Sequence, residues 1–104
     1  MLFIQKPVFI KQASRLFTDE EVRDLMEWFL LHPQAGEIIA DGGGCRKVGW
    51  RVRGHETHDG AVVVYFFRAS PQVIFLLRAF LRSEENEFLR NGINQFTAET
   101  TTNE

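Results

Sequence analysis

Two long apolar runs, Ala61 to Phe67 and Val73 to Phe80, are separated only by Arg68 and the turn Ala69-Ser70-Pro71-Gln72. Runs of this length bounded by turn residues read as buried strands. A connection so short brings the second strand back antiparallel to the first. Whatever else this chain does, it must cover a hairpin that is apolar on most positions. At 104 residues it has material for one domain and one core, with ten Phe and two Trp to fill it. The 44% hydrophobic and 25% charged fractions exclude wholesale disorder. No apolar stretch approaches the roughly 18 residues that span a bilayer.

A third strand precedes the hairpin. From Cys45 the pattern alternates, with Val48, Trp50 and Val52 on one face and Lys47, Arg51 and Arg53 on the other. Gly49 interrupts the cationic face, Gly42-Gly43-Gly44 leads into the strand, and the polar segment 54–60 leads out of it. Upstream, Thr18 and Glu21 form the capping-box pattern of a helix start. Val22, Leu25, Met26, Phe29 and Leu30 then follow at the spacing of one helix face, and Asp19, Glu20 and Asp24 favour its positive end. His32-Pro33 stops this helix, and Gly36 is suited to a left-handed turn out of it. Before it, Leu2-Phe3-Ile4 reads as a short strand and Pro7 opens a helix to about Leu16. After the hairpin, Ser83 can cap a last helix with Glu84 and Glu85 in its first turn, and Phe88, Leu89, Ile93 and Phe96 on its buried face. The expected architecture is α+β, in the order β-α-α-β-β-β-α, with a small antiparallel-rich sheet and the helices on one face. The domain covers 1–96, and the Thr-rich stretch 97–104 reads as a frayed, disordered tail.

Charge is unevenly distributed. Residues 42–82 hold seven Lys/Arg against two Asp/Glu, while the flanks hold five Lys/Arg against twelve Asp/Glu. A local cationic field of this kind attracts an anionic partner although the whole chain carries a formal charge of −2. The alternative is a solvated strand face. The single cysteine, Cys45, cannot form an internal disulfide and reads as a small core hydrophobe. Residues 1–7 are too short for a signal peptide and lack a cleavage site, so the expected compartment is the cytoplasm.

Three stretches together resemble the RelE/ParE superfamily of type II toxin–antitoxin toxins, and its HigB-like branch in particular. They are Phe17 through Ile39, with the capped helix and a Pro-x-x-Gly loop; Gly42 through Val48, with glycine followed by Arg46-Lys47; and Ala61 through Phe67, Val73 through Phe80 and Arg82-Ser83-Glu84-Glu85. The resemblance implies a RelE-like fold, an antitoxin partner of helix-turn-helix type, and ribosome-dependent cleavage of mRNA without metal or cofactor. Such cleavage needs a base for the 2′-OH, cations for the phosphorane and an acid for the leaving 5′-oxygen. On this reading Arg46, Lys47, Arg51, Arg53 and Arg82 are the candidate phosphate ligands. Lys47, His55, His58 and Arg82 are the candidate catalytic residues, the histidines because they are the only side chains near the basic strand whose unperturbed pKa lies near neutrality. His55-Glu56-Thr57-His58 is too sparse a pattern for zinc. Ala61 and Phe80 stand where many relatives carry Arg and Tyr or Arg, and Gly49 where some carry a second Lys. Two other readings follow: a catalytically silent RelE-fold protein that acts by binding an antitoxin, and a ParE-like inhibitor of DNA gyrase.

Overall fold

The computed structural model describes residues 1–52 and 60–90. In chain order the elements are β1 (Leu2–Gln5), α1 (Pro7–Leu16), α2 (Asp19–Leu31), β2 (Glu37–Ile38), β3 (Arg46–Trp50), β4 (Ala61–Ala69) and β5 (Gln72–Leu81). A 3-10 turn, Arg82–Glu84, leads into residues 85–90, here called α3, which are helical. The fold is a small α+β domain. Its one sheet has the order β1-β5-β4-β3-β2.

The β3-β4-β5 meander is antiparallel, as the short connections predicted. β1 departs from that pattern. It lies parallel to β5, pairing Leu2 with Val73 and Gln5 with Leu76, so the sheet is mixed. β2 was not anticipated. It pairs Glu37 with Lys47 and Ile38 with Arg46 at the outer edge of β3. The β4-β5 register shifts between Val64 and Tyr65, which lets Leu76 face Tyr65 and Arg78 face Val64.

The expectation that all helices pack on one face is corrected. One core joins Phe9 and Ala13 of α1 and Leu25 and Phe29 of α2 to Val63, Tyr65, Ile74 and Leu76 of the sheet. A second, on the opposite face, holds Ile39, Cys45, Val62, Val64, Phe75, Leu77 and Phe80, with Phe88 and Leu89 of α3 packed against it. Both faces of the central hairpin are therefore covered. That is why its sequence is apolar at nearly every position rather than at every second one.

Local chemistry sets the helix ends. In α2 the Glu21 N–H donates to Thr18 Oγ1 at 3.1 Å, and the Thr18 N–H donates to Glu21 Oε1 at 2.9 Å. Leu30, assigned to the apolar stripe, is instead half exposed. In α1, Gln12 Oε1 accepts the Ala79 N–H at 2.8 Å, which ties the helix to β5. Ser83 does not cap the last helix. It lies inside the 3-10 turn, and Glu84 reaches back to accept the Leu81 N–H at 3.3 Å. Among the described residues no helix is long and apolar enough to cross a membrane.

Candidate functional site

The strand pairing brings two of the sequence-derived candidates together. Lys47 is the second residue of β3 and lies opposite Val64, on the sheet face that carries α3. Gly49 follows two residues later on the same face. Arg82 emerges from the end of β5 and lies over it, so close that a Cβ at residue 49 would collide with Arg82 Nη2. Lys47 and Arg82 line one open cleft of about 190 Å³, with Ala35, Gly36, Glu37, Val48, Gly49 and Val62 as the other walls.

The cleft is not the bare cationic surface that the sequence suggested. Glu85, at the start of α3, is ion-paired and hydrogen-bonded to Lys47 through Oε2. Its Oε1 lies 3.8 Å from Arg82 Nη1. The Glu85 side chain is 14% exposed and that of Lys47 27%, so this pair is shielded more than a surface ion pair. Glu37, 81% exposed at 4.0 Å from Lys47, adds a weaker interaction. Two cations and Glu37 thus line one cleft, and Glu85 bridges the cations.

The remaining candidates do not join them. Arg46 points away from Lys47, as adjacent strand residues must. Its Nη1 donates to the carbonyls of Gly36 at 2.8 Å and Gln34 at 3.2 Å, a structural latch on the α2–β2 loop. Arg51 lies beyond the end of β3 and lines a separate groove with Glu21 and Asp24 of α2. The single cationic face expected for Lys47, Arg51 and Arg53 is therefore not formed by Lys47 and Arg51. Arg53, His55 and His58 lie outside the described residues.

Several residues have structural roles. Tyr65 is fully buried, and its hydroxyl accepts the Gly36 N–H at 3.0 Å. Burial raises its pKa above 10.0, opposed by the Gly36 hydrogen bond and the positive Arg46. Phe80 is 2% exposed and stacks on Phe88, with centroids 4.9 Å apart, so it is sealed between β5 and α3. Trp50 packs against Trp28 at 5.7 Å, and Cys45 is buried in the second core. Gly36 does not occupy the left-handed region. It is small because a Cβ there would run into the Lys47 carbonyl and the Tyr65 ring. Among the described residues no group of three or more His, Cys, Asp or Glu is placed to hold a metal.

Glu85 is the functional candidate that the sequence reading missed. In sequence it is one of two acids at a helix start, a position explained by the helix dipole alone. The register that sets β3 beside β4 is what carries Lys47 to it. No family model matches the chain.

Proposed function

We propose that this chain is a toxin of the RelE/HigB-like kind, a ribosome-dependent endoribonuclease that cuts mRNA without a metal ion. The observation that carries the reading is the convergence of Lys47 and Arg82 on the Glu85 carboxylate in one open cleft. A phosphodiester offers these cations the same charge and oxygen geometry as Glu85 does. A substrate phosphate that takes Lys47 and Arg82 frees the Glu85 oxygens to accept a hydrogen bond from the neighbouring 2′-OH.

The chemistry then balances within the chain. The 2′-oxygen attacks phosphorus as its proton passes to Glu85. Arg82 and Lys47 stabilise the charge that builds on the phosphorane oxygens. The bond from phosphorus to the 5′-oxygen breaks, leaving a 2′,3′-cyclic phosphate and a 5′-hydroxyl. His55 and His58 are the sequence's candidates for protonating that leaving oxygen.

A second reading is the silent RelE-fold protein that works through an antitoxin. It is favoured by the internal compensation of Lys47 and Arg82, and by the burial of Phe80 beneath Phe88. Primer extension on mRNA from a purified translation system separates the two. The antitoxin-free chain should produce cuts at the ribosomal A site. Lys47→Ala with Arg82→Ala should abolish them while the chain remains folded. A folded chain that produces no cuts overturns the endoribonuclease reading, and a double variant that still cuts removes Lys47 and Arg82 from its site.

A further inference from the structure

The sheet face that carries α3 extends well beyond it. The six residues of α3 span about 9 Å. The core beneath runs along β5 from Phe80 through Leu77 to Phe75, roughly 17 Å of strand. Leu77 is 0% exposed and Phe75 4%. Neighbours in the sheet shield such side chains at their flanks, and a second layer shields them from above. Ile4 and Phe66 are flank neighbours, since each pairs with Phe75 across the sheet. Phe88 is stacked on Phe80, at the far end of this strip. On the β3 side the turn at Gly44 rests on Phe66. The charged ends of Lys6 and Arg68 stand 5.9 and 5.6 Å from the centroid of Phe75. Arg68 Nε is itself cut off from solvent, so a layer lies over Arg68 as well.

Two stretches of the chain lie outside the described residues, 53–59 and 91–104. The first is seven residues anchored at Val52 and Gly60. Its backbone reaches at most roughly 14 Å out and back, at about 3.4 Å per residue. Phe66, the partner of Phe75, lies six residues along β4 from Gly60, roughly 20 Å away. Phe88 of α3 stands in between, over Phe80 and its partner Val62. The second stretch begins where α3 ends, directly after Phe88 and Leu89 on this face. Ile93 and Phe96 follow Arg90 by three and six residues, about 10 and 20 Å of extended chain, enough to run along the strip to Phe75. The same stretch carries Glu99 and Glu104 and no Lys, Arg or His. The face carries Lys47, Arg82, Lys6 and Arg68, and also Arg78, which lies opposite Val64. An apolar pair followed by carboxylates complements an apolar strip edged by cations.

We propose that residues 91–104 close this face as an acidic cover, with Ile93 and Phe96 on Leu77 and Phe75 and with Glu99 and Glu104 toward the cations, and that RNA must displace the acidic end to bind. The identity of the competitor rests on the proposed action on RNA, whereas the cover itself does not. A tethered segment acts at an effective concentration in roughly the millimolar range, so weak contacts are enough to compete. Glu85 is then the inner counterion of the cleft, and Glu99 and Glu104 are outer ones that leave when RNA arrives.

The test uses the whole chain, isotope-labelled, in solution. Nuclear Overhauser contacts should join Ile93 and Phe96 to Leu77 and Phe75. Their absence from the folded chain overturns the proposal. In a mixture of two differently labelled samples, the same contacts found only between molecules assign the cover to a second copy and overturn it as well. Fluorescent single-stranded RNA of about 12 nucleotides, within the span of single-strand grooves, reads the competition. Glu99→Gln with Glu104→Gln should tighten RNA binding severalfold and leave the melting temperature unchanged. Phe96→Ala should also tighten it, and should lower the melting temperature because it thins the layer over Phe75 and Leu77. The glutamine pair leaves the packing intact and carries the comparison if Phe96→Ala fails to fold. Unchanged RNA affinity in the glutamine pair overturns the competition and the proposal with it. If the parent binds no RNA, the proposed function fails and the competition fails with it, while the Overhauser contacts decide the cover alone.

Discussion

Arg82 lies across Gly49, in space that any side chain at residue 49 would occupy. The strand glycine is what leaves room for the guanidinium over β3, where it also approaches Glu85. Gly49→Ala separates placement from stability. The obstructed atom is the far end of a flexible side chain, so the cost of moving it is small. Alanine also restores about 0.5–1 kcal/mol of the entropy that glycine loses on folding. The melting temperature should stay the same or rise slightly. RNA affinity should fall, because Arg82 is displaced from the cleft. A variant that binds RNA as tightly as the parent would show that the position of Arg82 over β3 is irrelevant to binding.

Glu85→Gln should move binding and cleavage in opposite directions. Removing the carboxylate takes away the charge that bridges Lys47 and Arg82, so RNA binding should tighten severalfold and depend more steeply on salt. The amide cannot take a proton from a 2′-OH, so cleavage should be lost. Stability should drop by about 1 kcal/mol, the worth of a partly shielded charge-assisted hydrogen bond. Filter binding and primer extension on one preparation read both effects. Tighter binding with undiminished cleavage would remove Glu85 as the base and leave it only as a competitor for the cations.

The legible parts of this chain are those whose causes lie close together in sequence. Thr18 and Glu21 are three residues apart and cap α2 as their spacing predicts. The central hairpin announces itself because burial on both faces makes β4 and β5 apolar at nearly every position. β2 gave no signal, since Glu37 and Ile38 are both exposed and form a strand only because β3 offers an open edge. The parallel partner of β1 lies some seventy residues away in β5, a pairing that no local pattern encodes. The site divides along the same line. Arg46 and Lys47 are adjacent in sequence, yet the pleat sends one to the loop carbonyls of Gln34 and Gly36 and the other to Glu85. A charge count over residues 42–82 cannot distinguish them.

Gly36→Ala should be among the most damaging single changes to the cleft. The added methyl would meet the Lys47 carbonyl, which is held in the β2–β3 ladder and cannot rotate away, and would lie 3.1 Å from Tyr65 Cε1. Forced overpacking of this kind costs about 1–3 kcal/mol. Tyr65→Phe should cost a similar amount for a different reason, because the Gly36 N–H then loses its acceptor in a buried setting. The two effects share one contact, so the double variant should lose less than the sum of the single losses. Urea unfolding of the three variants measures this coupling. Strict additivity would mean that the two changes act independently and do not meet at the Gly36–Tyr65 contact.

Stability should fall at alkaline pH through Tyr65. Burial holds its folded pKa above 10.0, and the Gly36 hydrogen bond and Arg46 only partly offset that. In the unfolded chain the phenol ionises near its ordinary value. Between that value and the raised folded one, the native state keeps a proton that the unfolded state has released. Folding therefore loses stability as pH rises through this window, by up to about 1.4 kcal/mol per pH unit. Below pH 10.0 the phenol is protonated in both states and contributes no slope. Lysines also titrate in this range, so the quantity to compare is the pH dependence of the parent minus that of Tyr65→Phe. Tyr65 is the one tyrosine in the chain, so ultraviolet absorbance of tyrosinate follows it without interference. The native chain should ionise at higher pH than the chain in denaturant. Ionisation of both at the same pH would mean that Tyr65 is open to solvent and that the α2–β2 loop is not pinned to β4.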